Sequence, residues 1–178
     1  MQIRPIQAAD APALSAFLER IPEGDQTFFK EDIREREIVT SWLQDTHGRR
    51  SAAVEVDGRV LGYVAVIPGV GWSSHVGELR LVVDPDQRRR GLGRQLARRG
   101  LVDAIQLGLG KIVVEVVADQ TPAVAMFQSL GFNAEALLRD HVRDRSGALR
   151  DLIVLAHSVK DSWSEMATIG IEDALKKS

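Results

Sequence analysis

Cysteine is absent from all 178 residues, which excludes disulfides, thiol nucleophiles and thiolate-bound metals together. No run approaches the roughly 20 apolar residues that a membrane-spanning helix needs. The opening MQIRPIQAADAPALSAFL also lacks the uninterrupted apolar stretch of a secretion signal. The expectation is a cytoplasmic protein with no membrane partner. Aromatic residues make up only 5% of the chain, with one tyrosine, Tyr63, and three dispersed tryptophans, Trp42, Trp72 and Trp163. They offer no stacking platform for bases, and 23 basic against 25 acidic side chains leave a net charge of -2. No nucleic-acid partner is therefore expected. His47, His75, His141 and His157 show no metal-ligand spacing, and no H-E-x-x-H element occurs, so no metal is expected either.

What is present suits a soluble globular protein: 44% hydrophobic and 27% charged residues, in a length that one hydrophobic core accommodates. Without repeats or low-complexity linkers, we expect one domain over residues 1–160, with 161–178 as a C-terminal tail or short helix. IRPI reads as a short strand, followed by Asp10 as the N-cap of the helix APALSAFLERI, with Pro12 in its first turn. PEGDQTFF reads as a loop, and EDIREREIVTSWLQ (31–44) as a second, only partly amphipathic helix, a mobile or substrate-facing element rather than a fixed part of the core. SAAVEVDGRVLGYVAVI then holds two β-rich runs around Asp57-Gly58, a hairpin signal.

After the loop PGVGWSS, the strand HVGELRLVV puts Leu79, Leu81 and Val83 on one face and Glu78, Arg80 and Val82 on the other. A helix following Gly93 carries Ala97, Leu101, Ala104 and Ile105 on one side and ends at Gly108-Leu-Gly110. KIVVEVV is apolar on both faces apart from Glu115, the pattern of a central strand. Thr121 is the expected cap of a helix starting at Pro122 and stopping at Gly131. NAEALLRDHV and LRDLIVLAHSV read as strands joined by the turn RDRSG. Hairpins around a central βαβα unit indicate a mixed α/β (α+β) architecture.

DPDQRRRGLGRQL, Asp84 to Leu96, places three arginines and two glycines between a strand and a helix. Free N–H groups at a helix start converge on anions, and the aligned peptide dipoles favour negative charge there. Gly91 and Gly93 permit close backbone approach, while Arg88, Arg89 and Arg90 add attraction around it. Local physics leaves two readings open, a phosphate-binding turn and a solvent-facing basic helix cap. Neither the full G-x-G-x-x-G fingerprint nor the G-x-x-x-x-G-K-[ST] phosphate loop is present.

RRRGLG, Arg88 to Gly93, resembles the Q/R-x-x-G-x-G/A acetyl-CoA motif of the GCN5-related N-acetyltransferase superfamily. LVVDPDQRRRGLGRQL resembles its fourth strand and following helix, and DQTPAVAMFQSLGF its later helix before a GF-containing strand. The resemblance covers residues 1–157 and is densest over 78–132. It implies a mixed, mainly antiparallel sheet flanked by helices, whose fourth and fifth strands splay apart to admit the coenzyme's pantetheine arm. The backbone around Leu81, Val82 and Val83 would then pair with that arm. The N–H groups from Arg89 through Arg90, Gly91, Leu92, Gly93 and Arg94 would surround the pyrophosphate, with Arg88 beside them. Gln120, Ala123 and Phe127 stand where such enzymes commonly carry Asn, Ala and Tyr. The amide of Gln120 keeps a hydrogen-bonding group there. Phe127 keeps the ring but has no proton to donate, so the general acid for the departing thiolate is unassigned.

For the base, the resemblance singles out Glu78, because an early fourth-strand glutamate serves many relatives. The competing reading of Glu78 is an exposed strand residue paired with Arg80 or with a neighbouring strand. Glu115 is the alternative carboxylate, and His75 is a loop histidine whose ordinary pKa of about 6.5 suits a base. The charged run with Asp140, Arg143, Asp144 and Arg145 reads either as a solvated hairpin or as an acceptor-recognition rim, with Phe28 and Phe29 as an opposing apolar wall. Together these imply acetyl transfer from acetyl-CoA, as cosubstrate, to a primary amine by direct attack within a ternary complex. The acceptor class is an amine-containing small molecule or a protein or peptide. The rival readings are a catalytically weak acyl-CoA-binding regulatory module and a protein-interaction domain. Edge strands and the tail leave a homodimer open.

Overall fold

The computed structural model describes residues 1–26, 29–35 and 37–159. Phe28 and the tail expected at 161–178 lie outside the described residues. Among the described residues, seven strands form one sheet: β1 (Gln2–Pro5), β2 (Arg49–Val54), β3 (Val60–Pro68), β4 (Val76–Val83), β5 (Lys111–Val117), β6 (Asn133–Arg143) and β7 (Leu149–Ser158), in spatial order β1-β2-β3-β4-β5-β7-β6. All neighbours pair antiparallel except β4 and β5. The one parallel pair requires a crossover, and α4 (Leu92–Gln106) supplies it.

Helices cover both faces. On one, α4 and α5 (Thr121–Gln128) lay Leu96, Ala97, Leu101 and Phe127 over Val64, Leu79, Ile112 and Val114. On the other, α1 (Ala11–Glu19) and α3 (Ile38–Gln44) bury Leu14, Phe17 and Trp42 against Ala52, Val60 and Tyr63. α4 lies close to the sheet because Gly100 faces Leu79: a β-carbon there would come within 2.6 Å of Leu79 Cδ1. The helix carrying the Arg/Gly loop is thereby seated directly over β4. No helix among the described residues is long and apolar enough to cross a membrane.

Local expectations are refined at several points. Asp10 is the N-cap of α1, as expected, but its side chain makes no capping hydrogen bond. Its carboxylate instead takes two hydrogen bonds from the Arg4 guanidinium, at 2.7 Å each, and one from the Gln7 N–H at 2.8 Å. The helix expected over 31–44 is confined to α3, and a four-residue helix, α2 (Glu23–Gln26), occupies the stretch read as loop. Asp32 explains part of this, because its side chain accepts the Arg34 N–H at 3.0 Å, a local turn bond that competes with helix. Thr121 is the first residue of α5 rather than its cap, which is Gln120. The helix after the Arg/Gly loop also starts at Leu92, one residue before Gly93.

Candidate active site

β4 and β5 pair over three positions only, Val76↔Lys111, Gly77↔Ile112 and Glu78↔Val113. Beyond Glu78 they run on separately, β4 still paired with β3 as far as Val83 and β5 with β7 as far as Val117. The ladder phase shows what lines the opening. The β3–β4 ladder is bracketed by Asp84 N–H to Leu61 O at 2.9 Å and Gly69 N–H to Val76 O at 2.8 Å. Antiparallel hydrogen bonding alternates, so Glu78, Arg80 and Val82 give their peptide groups to β3. Leu79, Leu81 and Val83 turn theirs toward β5. By the same logic, Ala118 N–H to Asp151 O at 2.9 Å and Val159 N–H to Gly110 O at 3.0 Å leave the peptide groups of Glu115 and Val117 facing β4. The split is therefore an edge on both sides, a slot for a ligand that carries its own amides. Of the three β4 residues expected to line it, Leu81 and Val83 offer their backbones to the slot and Val82 does not.

At the open end, β4 runs into the Arg/Gly loop. Asp84, 1% exposed, anchors that junction. Its carboxylate accepts from Arg20 Nε at 2.9 Å, Arg59 Nη2 at 3.4 Å and the Asp86 N–H at 3.1 Å. Burial pushes this carboxyl up, but the Arg20 bond, the Asp86 N–H and the charge of Arg20 outweigh it, and it titrates below its ordinary value. Arg89 (φ 61°) and Gly91 (φ 82°) are both left-handed. For arginine this conformation is sterically unfavourable, and left-handed residues in such a turn make N–H groups converge into an anion cradle. Gly91 is the N-cap of α4 and supplies no capping side chain, so the first-turn N–H groups of Leu92, Gly93 and Arg94 have no intrahelical acceptor. Gly93 faces the end of β4 and α5, where a β-carbon would lie 3.2 Å from Met126 Sδ and 3.7 Å from Val83 Cγ2.

The arginines divide by task. Arg88 pairs with Asp25 at 2.6 Å and Arg94 donates to Ser129 Oγ at 2.7 Å, which ties the loop to α2 and to the end of α5. Arg89 and Arg90 are exposed beside the cradle. Across the slot, the Gln120 carbonyl accepts the N–H groups of Ala123 and Val124 at 2.9 and 3.2 Å, which starts α5. Ala123 packs at the edge of the core, and Phe127 is 3% exposed with its ring edge-on to Phe132 at 5.2 Å.

The carboxylates meet on the opposite face of the sheet. Arg80 grips Glu78 with two bonds, Nε to Oε1 at 3.1 Å and Nη2 to Oε2 at 3.2 Å, and reaches Glu31 with Nη1 at 2.6 Å. The Lys30 ammonium lies 2.9 Å from Glu78 Oε1 and 2.9 Å from Glu115 Oε2. Both glutamates named as alternatives thus converge on one cation, where the strands part. Burial raises the Glu78 carboxyl, yet bonds from Arg80 and Lys30 hold it below its ordinary value. Burial lowers Lys30, and the two glutamates more than compensate, so its ammonium is held above its ordinary value. Glu78 is paired with Arg80, as the strand-residue reading has it, but its side chain is only 22% exposed rather than open to solvent, and it stands where the strands part.

His75 stands at the paired end of β4, and its carbonyl accepts from the Gly110 and Lys111 N–H groups at 2.8 and 3.2 Å. It is therefore remote from the slot. Tyr63 is buried in a stack on Trp42, with centroids 4.5 Å apart, and burial pushes its phenol well above the ordinary value. In the β6–β7 hairpin, Asp144 holds the turn through the Ser146 and Ala148 N–H groups at 2.9 and 3.0 Å. Arg145 reaches Glu23 of α2 at 3.6 Å, so the hairpin tip meets the α2 segment. Phe29 packs into the α1/α3 core rather than forming an open wall. The sequence singles out Arg80 only as a pairing partner of Glu78, and Lys30 and Asp84 not at all; only the Asp-Pro-Asp run carries a local sign, a side-chain turn bond.

Comparison with known proteins agrees with this geometry. The sequence matches the acetyltransferase (GNAT) family over residues 15–132. A mycothiol acetyltransferase of Kocuria rhizophila is 43% identical over 105 residues, covering 57% of this chain and 34% of that protein. A [ribosomal protein bS18]-alanine N-acetyltransferase of Escherichia coli is 36% identical over 76 residues, 43% of this chain and 51% of that protein. The chain spans between 18% and 51% of the length of the curated relatives it matches. Among solved structures, a GCN5-related N-acetyltransferase from Kribbella flavida superposes with a TM-score of 0.74 at 27% identity, covering 88% of this chain and 96% of its own.

Proposed function

We propose, from the premise that this chain belongs to the GNAT acetyltransferase family, that it transfers the acetyl group of acetyl-CoA to a primary amine by direct attack. The observation that carries this is the slot between β4 and β5, into which Leu81 and Val83 turn their peptide groups. The amide-bearing pantetheine arm has the hydrogen-bonding pattern to complete those edges. Its pyrophosphate suits the cradle from Arg89 to Arg94, with the helix dipole behind it.

In this reading the thioester carbonyl lies in the slot, where the Val83 N–H stabilises the charge that develops on its oxygen. The neutral amine attacks the carbonyl carbon, the C–N bond forms, and the C–S bond breaks with its electron pair on sulfur. Glu78 accepts the amine proton, directly or through water. Phe127 has no proton for the thiolate, whose ordinary pKa of about 8.5 makes it a tolerable leaving group protonated by water. The acceptor is a small molecule or peptide that presents a primary amine on the Lys30 side of the sheet.

A specific observation favours a second reading, an acyl-CoA-binding module with weak chemistry: Glu78 is engaged at once by Arg80 and Lys30. Calorimetry with acetyl-CoA and an amine panel read by product mass separate the two. Coenzyme uptake with acetylated product supports transfer, and uptake without product across the panel favours the module. Absence of coenzyme uptake overturns both.

A further inference from the structure

We propose that Lys30 is itself an acetyl acceptor, so that the protein acetylates its own Lys30 Nζ within one molecule. This inference rests on the acetyl-transfer reading above. Lys30 is a primary amine placed where that reading needs one, 2.9 Å from the proposed base Glu78 and 2.9 Å from Glu115. These are also the last paired position of β4 and a residue whose peptide group faces the slot.

The placement is held from both sides along the chain. Phe29 packs into the α1/α3 core, and Glu31 pairs with Arg80 at 2.6 Å. The residue between them is thereby held beside Glu78 and Glu115, where the strands part, and such tethering raises effective concentration by orders of magnitude over a free amine. The side chain is 44% exposed, so a bound thioester has room to meet it. The surrounding cations make the choice of residue pointed: the chain has five lysines against 18 arginines, and only the lysine nitrogen is an acylable amine.

The chemistry balances without another reactant. Lys30 first loses a proton through Glu78 or Glu115 to water. The neutral Nζ then attacks the thioester carbon, the C–N bond forms and the C–S bond breaks. One of the two protons left on Nζ then leaves through a carboxylate while the other stays on the amide, and the thiolate is protonated to free CoA. The net change is one acetyl-lysine, one CoA thiol and one released proton. Acetyl-Lys30 is uncharged, so both glutamates lose their shared cation and become available to the ammonium of an incoming acceptor. A resting ion pair is thereby converted into an acceptor site.

The test is incubation of the wild-type protein with acetyl-CoA and no added amine, followed by intact mass and fragment mapping over time. One acetyl group on Lys30 is expected, formed at a rate independent of protein concentration, absent in Lys30→Arg and slowed at least tenfold in the Glu78→Gln/Glu115→Gln pair. Lys111, 36% exposed and paired with Glu135 at 2.6 Å, is the internal control for unassisted acetylation. Lys30 left unmodified, modified no faster than Lys111, or modified in proportion to protein concentration overturns the inference. If an external amine is still acetylated in that case, the proposed function stands alone; if calorimetry finds no acetyl-CoA binding, both fall.

Discussion

Glu78 and Glu115 project from strands that part just beyond Glu78, and they close on the same nitrogen, Lys30 Nζ, at 2.9 Å each. Two carboxylates so placed are stable only while a cation lies between them, because like charges at this range oppose joint ionisation. The Lys30 ammonium fills that position, and Arg80 supports Glu78 from the other side.

Replacing Glu78 by Gln keeps a group that can bond to Arg80 but removes the proton acceptor. We expect kcat/KM for acetyl transfer to fall by about 10²–10⁴-fold, the usual range for losing a general base, with coenzyme affinity unchanged. Glu115→Gln should raise KM for the amine more than it lowers kcat. Steady-state CoA release together with calorimetry checks both, and equal effects of the two substitutions on kcat would reject the division of labour.

Gly91 tests the cradle. A β-carbon there meets no atom within 4 Å, so any cost comes from the left-handed backbone at φ 82°. Gly91→Asn, whose side chain tolerates that region, should bind acetyl-CoA better than Gly91→Ala, and Gly91→Val should bind worst. The Ala variant is expected to lose about 1–2 kcal/mol of stability, read by denaturant unfolding. Identical coenzyme affinity across the three would mean that the loop does not bind the pyrophosphate.

The stretch from Glu78 to Gln106 was legible because it combines the strongest local signals: alternating apolar residues, a glycine pair at a junction, and a helical stripe. The alternation also placed Leu79, Leu81 and Val83 on the face that α4 covers. Segment 31–37 misled because Ile33, Val39 and Leu43 continue a partial helical stripe across it, while Asp32 makes a turn bond and Glu31 an ion pair with distant Arg80. Lys30 left no sign at all. Its partners are far away in sequence, and contacts that only the folded topology creates have no period or spacing to detect. The splay of β4 from β5 likewise came from the resemblance, since KIVVEVV reads the same whether its neighbour is paired or parted.

Phe127 stands at a position where the resemblance led us to look for a tyrosine, and its ring is part of the core. Phe127→Ala should cost about 3–5 kcal/mol, the range for emptying a buried aromatic site. Phe127→Tyr should cost about 1–3 kcal/mol by burying a hydroxyl without a partner, and should leave kcat unchanged. A rise in kcat would show instead that the ring's far end opens on the slot.

Asp84 links the stability of the loop to pH. Its buried carboxylate joins Arg20 at the end of α1, Arg59 of the β2–β3 hairpin and the Asp86 N–H. Because its folded pKa is lowered, the unfolded chain, with an ordinary value of about 3.9, binds the proton more readily. The contribution to stability is therefore complete above that unfolded value and disappears as pH falls through the folded one. Asp84→Asn should be less stable than wild type by about 3 kcal/mol near neutrality, since the arginines lose a buried partner. That gap should stay constant down to about pH 5 and narrow below about pH 4. Paired urea titrations across this range measure it, and a gap that persists undiminished well below the unfolded value would show that the charge of Asp84 is not what holds the junction.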